Sequence, residues 1–82
     1  MQTTDALPQP ASSRTMLKCA WRISREKRFN TTTQLMRATR QIAWTFDLTE
    51  DEHRVCCERA LQHGEQSLAM QLFEEEVHYD RA

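Results

Sequence analysis

The chain has 82 residues, 28% of them charged and 39% hydrophobic, which is the composition of one small soluble domain and not of a disordered protein. One glycine and two prolines are too few for the tight turns of a strand-rich fold, and Gly64 alone cannot build a phosphate-binding loop. Three cysteines, two of them adjacent, favour the reducing cytoplasm, and we expect no secretory signal and no membrane span. The composition therefore favours helices and argues against a nucleotide-dependent enzyme.

Charge is divided unevenly along the chain. Up to Phe46 eight basic residues stand against two acidic ones, whereas from Asp47 onward three basic residues stand against ten acidic ones. Such a split predicts either an electrostatic partner for one half or attraction between the two halves within the fold. The two outcomes imply different functions. Pairing within the fold would neutralise the cations, and they would then not be available to bind a polyanion such as a nucleic acid.

The first dozen residues predict a disordered tail. Pro8 and Pro10 cannot continue a helix, and each pushes the residue before it towards an extended conformation. We therefore assign residues 1–12 to the tail and residues 13–82 to a single small helical domain. A domain of that size buries only about 60% of the surface that its unfolded chain exposes, so we expect a second copy or a partner to support it.

The first element of the domain is predicted as a helix that runs from a cap at Ser12 or Ser13 to about Phe29. Its apolar residues share one broad face at helical spacing, and its cations share a narrower face beside it. Apolar and polar residues also alternate over residues 16–24, as they would in a strand. A β-strand there, which would make the fold α+β, is the alternative.

Capping residues predict where the later helices begin. A second helix is expected over residues 31–46, and a third over residues 49–63, because both open with capping-box spacing. Gly64 then suits a left-handed helix terminator, and a fourth helix covers about residues 66–79. The predicted fold class is therefore all-α, a small bundle of three or four short helices.

A tryptophan beside arginines is the strongest candidate for a binding site. At helical spacing Arg37, Arg40 and Trp44 fall on the side of the second helix that faces away from its apolar stripe. This mix of residue types is typical of binding hot spots, and it also suits stacking on nucleobases beside neutralised phosphates. The competing interpretation packs Trp44 into the bundle and leaves the arginines as a solvated face.

Three sets of residues follow from these patterns. The residues nominated for partner binding are Arg22, Arg25, Arg37, Arg40, Trp44, Glu74 and Glu75. The cations that a nucleic acid would use are Arg14, Lys18, Arg22, Arg25, Lys27, Arg28, Arg37 and Arg40. The apolar arc of the fourth helix is too wide for one small core to cover, which predicts that a homodimer or the groove of a partner covers the remainder. The residues nominated for self-association are Leu68, Leu72, Phe73 and Val77.

Histidines and cysteines of the third helix raise the question of a metal site. His53 and Cys57 are one helical turn apart, and Cys56 and His63 are two turns apart. A zinc site usually takes four ligands in paired spacings from separate segments, which this helix does not supply. Packing of small apolar thiols in the core explains the pattern better, so we predict no metal and no cofactor.

The sequence as a whole predicts a small non-catalytic protein–protein interaction module, acting as a regulator, inhibitor or accessory subunit of a larger protein or complex. No set of residues forms a catalytic constellation, and the acidic half lacks the enclosed cleft that acid–base chemistry needs. The alternative is a nucleic-acid-binding protein that uses the basic, Trp-containing N-terminal half. The two hypotheses differ on whether the charged halves pair inside the fold.

Overall fold

The structure is a computed structural model that describes residues 10–81, with side chains as far as Val77. Its five helices are α1 (Ser13–Ser24), α2 (Thr32–Ala38), α3 (Arg40–Thr45), α4 (Glu50–His63) and α5 (Glu65–Arg81). No strand occurs among the described residues, so the all-α prediction is confirmed and the strand alternative for residues 16–24 is wrong. Most of the predicted tail lies outside the described residues.

The apolar face of α1 forms the centre of the core, where it packs chiefly against α4 and α5. Leu17, Ala20 and Ile23 recur every three residues, so they line one face of the helix and are buried together. The remaining core side chains are Cys19, Leu35, Cys56, Cys57, Ala60 and Leu68. The core is thus built mostly of small side chains, which lets three helices approach α1 closely.

The boundaries of α1 differ from the prediction at one end only. The Ser12 hydroxyl accepts a hydrogen bond from the Thr15 N–H at 3.1 Å, which confirms the predicted cap. The helix ends at Ser24 instead of Phe29, and its last turn closes with i→i−3 hydrogen bonds from Arg25 and Glu26. The charged run that follows offers no apolar side chain for a further helical turn to bury.

The single helix predicted over residues 31–46 is wrong, because the chain breaks into α2 and α3 at Thr39. Thr39 is buried, and its backbone departs from helical geometry at φ −113° and ψ 20°. Its hydroxyl donates to the Leu35 carbonyl at 2.7 Å and lies 2.9 Å from Nε2 of His53 on α4. A threonine that bonds back to the preceding turn bends a helix, and the contact with α4 fixes that bend.

The ends of α4 are those that the sequence predicts. The Thr49 hydroxyl accepts from the Glu52 N–H at 3.1 Å, and the Glu52 carboxylate accepts from the Thr49 N–H at 2.9 Å, which completes the capping box. The same carboxylate accepts from the Ala11 N–H at 3.0 Å. Gly64 ends the helix as predicted, but at φ 84° and ψ 166°, which is an extended conformation open to glycine and not the left-handed helical one.

The C-terminus of α3 closes in a Schellman motif. The Leu48 N–H donates to the Ala43 carbonyl at 3.0 Å, and the Asp47 N–H donates to the Trp44 carbonyl at 3.1 Å. Asp47 takes the left-handed position at φ 58°, which glycine usually occupies. This turn fixes the direction in which the chain leaves α3 for α4.

Replacing Thr39 with valine removes a buried hydroxyl and keeps the shape of the side chain. We expect the free energy of unfolding to fall by about 1–3 kcal/mol, because the His53 ring then loses its hydrogen-bond partner inside the protein. Urea titration followed by circular dichroism measures the change. Thr39→Ser is the matched control, since it keeps the hydroxyl; equal losses in the two variants would contradict the role given to the hydrogen bond.

Substitution of Asp47 tests the Schellman turn. Valine is expected to lower the free energy of unfolding by about 1–2 kcal/mol, because a β-branched residue is disfavoured at positive φ. Glycine is expected to keep the stability of the parent protein, since it meets no such penalty. Equal thermal midpoints for Asp47→Val and Asp47→Gly would show that the left-handed conformation is not required.

Candidate functional site

Trp44 is 68% exposed, so the interpretation that packs it into the bundle is wrong. The short helix α3 buries Ala43 and half-buries Ile42, and this orientation turns the neighbouring indole outward. Arg40 at the start of α3 and Arg37 on α2 are exposed as well. All three residues that the sequence analysis nominated on one predicted helix are therefore exposed, Arg37 on α2 and the other two on α3. We call Arg37, Arg40 and Trp44 the tryptophan face.

A cavity of about 380 Å³ opens beside the indole, between α3 and the start of α4. Its lining residues are Met36, Arg40, Ala43, Trp44, Leu48, Thr49, Glu50 and His53. The walls combine an aromatic ring and aliphatic side chains with charged groups of both signs at the rim. Such a concave site can receive a side chain of a partner against the ring and contact it through several polar groups as well.

A smaller cavity of about 260 Å³ adjoins the first and is more basic. It shares Met36, Arg40 and Glu50 with the first cavity and adds Arg37 and Arg54, together with two threonines of α2. Arg54 is paired with Asp51 at 2.9 Å, whereas Arg37 and Arg40 have no carboxylate within 4.0 Å among the described residues. The tryptophan face therefore offers two guanidinium groups to an incoming anion.

His53 connects this surface to the core. Because the Thr39 hydroxyl gives its proton to Leu35, the Nε2–H of His53 donates to Thr39 Oγ1. Burial lowers the pKa of His53 below its usual value, and the nearby charge of Arg40 lowers it further, while Glu50 acts in the opposite direction. The ring is therefore neutral at physiological pH and serves as a buried structural donor.

Ion pairs join the basic and acidic halves of the chain. Arg14 on α1 meets Glu76 on α5 at 2.6 Å, and Lys27 meets Glu65 at 2.7 Å, with Arg25 3.7 Å from the same carboxylate. Lys27 is the main cause of the lowered pKa of Glu65. The halves thus contact each other, which is the outcome that reduces the charge available to a polyanion.

The cations nominated for nucleic acid fall into two groups. Those with a carboxylate within 4.0 Å are Arg14, Arg25, Lys27 and Arg28. Those exposed without one, among the described residues, are Lys18, Arg22, Arg37 and Arg40. The second group is itself divided, since Lys18 and Arg22 lie on α1 while Arg37 and Arg40 belong to the tryptophan face. No continuous basic stripe of eight residues results.

A second concave surface lies between α1, α5 and the end of α3. This groove of about 400 Å³, which we call the Phe73 groove, is lined by Lys18, Trp21, Arg22, Phe46, Leu72, Phe73 and Glu76. Its composition is mainly aromatic and aliphatic. The sequence analysis assigned Leu72 and Phe73 to self-association and Arg22 to partner binding. It nominated neither Trp21 nor Phe46, because the groove forms only when three elements meet.

The residues nominated for self-association do not share one environment. Leu68 is fully buried in the core, so its nomination is corrected: its side chain is covered by the chain itself and offers no surface to a second copy. Leu72 and Val77 are half-buried, whereas Phe73 is 66% exposed. Met70, one turn before, is 61% exposed and adds to the apolar ridge of α5. Glu74 and Glu75 are exposed on the same helix.

The cysteines belong to the core, as the sequence indicates. Cys19, Cys56 and Cys57 are buried free thiols, and Cys56 lies 3.5 Å from the Met16 carbonyl. Burial raises the pKa of Cys57 to about 11, so this thiol is protonated and unreactive at neutral pH. Within the part of the chain that the structure describes, no three His, Cys, Asp or Glu side chains are placed to hold a metal ion.

The lowered pKa of His53 predicts how stability changes with pH. The unfolded chain takes up a proton near pH 6.5 and the folded chain only at lower pH, so acid favours the unfolded state. We expect Tm to fall as the pH is lowered from about 7.5 to about 5.5, a range in which ordinary carboxylates stay ionised. Calorimetry measures this slope, and His53→Gln, which can still donate to Thr39, is expected to flatten it. A pH-independent Tm in the parent protein would contradict the assignment.

Comparison with known proteins does not assign the chain to a family. No protein-family model, curated protein or solved structure matches the chain. Over residues 10–81, no helix is long and apolar enough to cross a membrane. Functional proposals for the chain therefore rest on its own exposed side chains, cavities and charges.

Proposed function

We propose that the chain is a non-catalytic protein–protein interaction module that binds a larger protein or complex through the tryptophan face, as a regulator, inhibitor or accessory subunit. The observation that carries the proposal is the exposure of Trp44 beside a cavity that Arg40 also lines, with Arg37 in the adjoining cavity. A small domain gains stability by burying an indole, so an indole held at the surface by a fixed turn favours a role in binding.

The chemistry of the face indicates what the partner segment contains. The cavity beside Trp44 admits a side chain that contacts its aromatic and aliphatic walls, while Arg40 in its lining and Arg37 in the adjoining cavity suit carboxylates or other anions. Trp and Arg are the residue types that dominate binding hot spots, where truncation of one residue costs about 2 kcal/mol or more. An acidic segment with one large apolar residue is therefore the expected ligand.

Nucleic-acid binding is the second candidate. Its support is the juxtaposition of Trp44, on which a base can stack, with Arg40. Arg40 and Arg37, which lines the adjoining cavity, lack carboxylate partners among the described residues. Two observations weigh against it: four of the eight cations nominated for this role already have carboxylate partners, and Glu50 lies within the same basic cavity. A few phosphate contacts give weak binding that salt readily abolishes.

Trp44→Ala tests the tryptophan face. We expect affinity for the captured partner to fall by about 30-fold, the equivalent of a hot spot worth about 2 kcal/mol. Folding should be unaffected, because the indole is largely exposed. The measurement is affinity capture from an extract of the source cells, followed by calorimetric titration of the purified partner. Leu61→Ala, which truncates an exposed apolar residue of α4, is the matched control and should bind like the parent.

Two outcomes would overturn the proposal. The first is equal partner affinity for the parent protein, Trp44→Ala and Leu61→Ala. The second is Trp44-dependent binding of labelled oligonucleotides, measured by fluorescence anisotropy, that persists at physiological salt with a clear salt slope. That result would mean that the tryptophan face binds nucleic acid and not a protein.

A further inference from the structure

The Phe73 groove has no residue in common with the cavities of the tryptophan face and is not used by the proposed function. Its apolar lining comes from three parts of the fold: Trp21 of α1, Phe46 directly after α3, and Leu72 and Phe73 of α5. The first three are partly buried, and Phe73 is 66% exposed. Four large apolar side chains thus share one concavity that is open to water, which is typical of a surface that another protein covers.

The charged side chains of the lining favour an anionic occupant. Lys18 and Arg22 are exposed and have no carboxylate within 4.0 Å among the described residues. The acidic residue of the lining, Glu76, is paired with Arg14 at 2.6 Å. An occupant of the groove therefore meets two cations whose charge is not neutralised by a neighbouring carboxylate, and one carboxylate whose charge is.

Contacts between α1 and α5 hold the Trp21 wall of the groove in place. The Arg25 guanidinium lies over the Trp21 ring, 5.3 Å from its centroid, and is 3.7 Å from the Glu65 carboxylate of α5. Glu65 is also paired with Lys27 at 2.7 Å. A wall that is already ordered lowers the entropy that an occupant must lose on binding, so the groove is suited to receive a ligand.

The spacing of the two cations indicates the form of the occupant. Lys18 and Arg22 are four residues apart on α1, about 6 Å along the helix axis and roughly 40° around it. A second helix that lies along α1 presents its own residues i and i+4 at the same spacing. Two carboxylates one turn apart on that helix then face the two cations, while its neighbouring apolar side chains enter the groove.

We propose that the Phe73 groove binds an acidic amphipathic helix of a partner protein, which inserts apolar side chains beside Phe73 and pairs its carboxylates with Lys18 and Arg22. Charge selects this occupant, because a basic helix would place cations against cations, and an uncharged one would cover them without providing a partner. The groove is a second docking surface, and its assignment does not rest on the role of the tryptophan face.

Trp21 provides a fluorescence signal from within the groove. Trp44→Phe leaves it as the one tryptophan of the chain, and the fold is expected to persist because Trp44 is largely exposed. The probes are three tryptophan-free helical peptides of about five turns. They share one apolar face of leucine and phenylalanine, and their polar faces carry glutamate, glutamine or lysine.

The glutamate peptide is expected to bind with a dissociation constant in the micromolar range at low salt and to move the Trp21 emission to shorter wavelength. Salt should weaken this binding, because exposed ion pairs are screened. We expect the glutamine peptide to bind about tenfold more weakly and the lysine peptide not to bind. Calorimetric titration measures the same affinities without the fluorophore. No binding of the glutamate peptide up to about 1 mM, or equal affinity for all three peptides, overturns the proposal.

Truncation of Phe73 tests whether the peptide lies in the groove. In the Trp44→Phe protein, Phe73→Ala is expected to weaken binding of the glutamate peptide by about tenfold or more, as truncation of a central aromatic contact does. Leu61→Ala, which truncates an exposed apolar residue outside the groove, is the matched control and should bind like its parent. Equal affinities in the two variants would place the peptide elsewhere on the chain.

Removal of charge tests the two cations. Lys18→Gln with Arg22→Gln is expected to weaken binding of the glutamate peptide by about tenfold and to remove most of its salt dependence. Arg37→Gln with Arg40→Gln removes the same charge from the tryptophan face and should leave the affinity unchanged. Circular dichroism verifies that both variants are folded. Equal losses in the two would show that only net charge matters, which overturns the assignment to the groove.

Two other occupants are distinguished in the same buffers. Sedimentation equilibrium of the chain alone tests a second copy, and co-sedimentation with vesicles of phosphatidylserine and phosphatidylcholine tests a lipid surface. Self-association or vesicle binding that Phe73→Ala abolishes, in place of peptide binding, overturns the proposal. Loss of the partner of the tryptophan face would not change any of these readouts, so the two proposals fail separately.

Discussion

Burial of the apolar face of α1 between α4 and α5 is the interaction on which the other features depend. Leu17, Ala20 and Ile23 supply that face, and Leu68 of α5 completes the same core. A small core of this kind contributes only about 3–5 kcal/mol, so no large side chain can be left out without cost. Against that background, the exposure of Trp44 supports the binding role that we propose for it.

Electrostatics follows from the same arrangement. Because α1 carries cations and α5 carries carboxylates, packing them together lets Arg14 and Lys27 pair near the two ends of their contact. Exposed pairs of this type stabilise a fold by only about 0–1 kcal/mol each, so the packing of the two helices depends mainly on the buried core. Lys18 and Arg22, in the middle of α1, are left to interact outside the chain.

Local signals predicted much of the fold. The caps at Ser12 and Thr49 and the stop at Gly64 depend on backbone groups within a few residues, so the sequence alone was sufficient. The break at Thr39 was missed because it depends on His53, which is 14 residues away. Nothing in the local pattern of residues 31–46 distinguishes a continuous helix from two short ones.

The candidate sites also differ in whether they depend on neighbouring residues or on residues distant in sequence. The shared side of Arg40 and Trp44 could be predicted, since the two residues lie one turn apart within α3, whereas Arg37 belongs to α2 on the other side of the break at Thr39. The groove beside Phe73 could not, because its walls come from elements that are distant in sequence. Leu68 shows the opposite error: a wide apolar arc does not reveal which of its members the chain buries itself.

The position of α1 also has a consequence for how the protein is made. The residues that cover its apolar face lie far along the chain, and Arg14 is separated from its partner Glu76 by 62 residues. At a synthesis rate of about 5–20 residues per second, the amphipathic segment waits roughly 3–12 s before its covering helix is translated. During that interval the apolar face of the segment has no covering helix within its own chain, so α1 cannot gain the burial that stabilises it until the rest of the domain has been made.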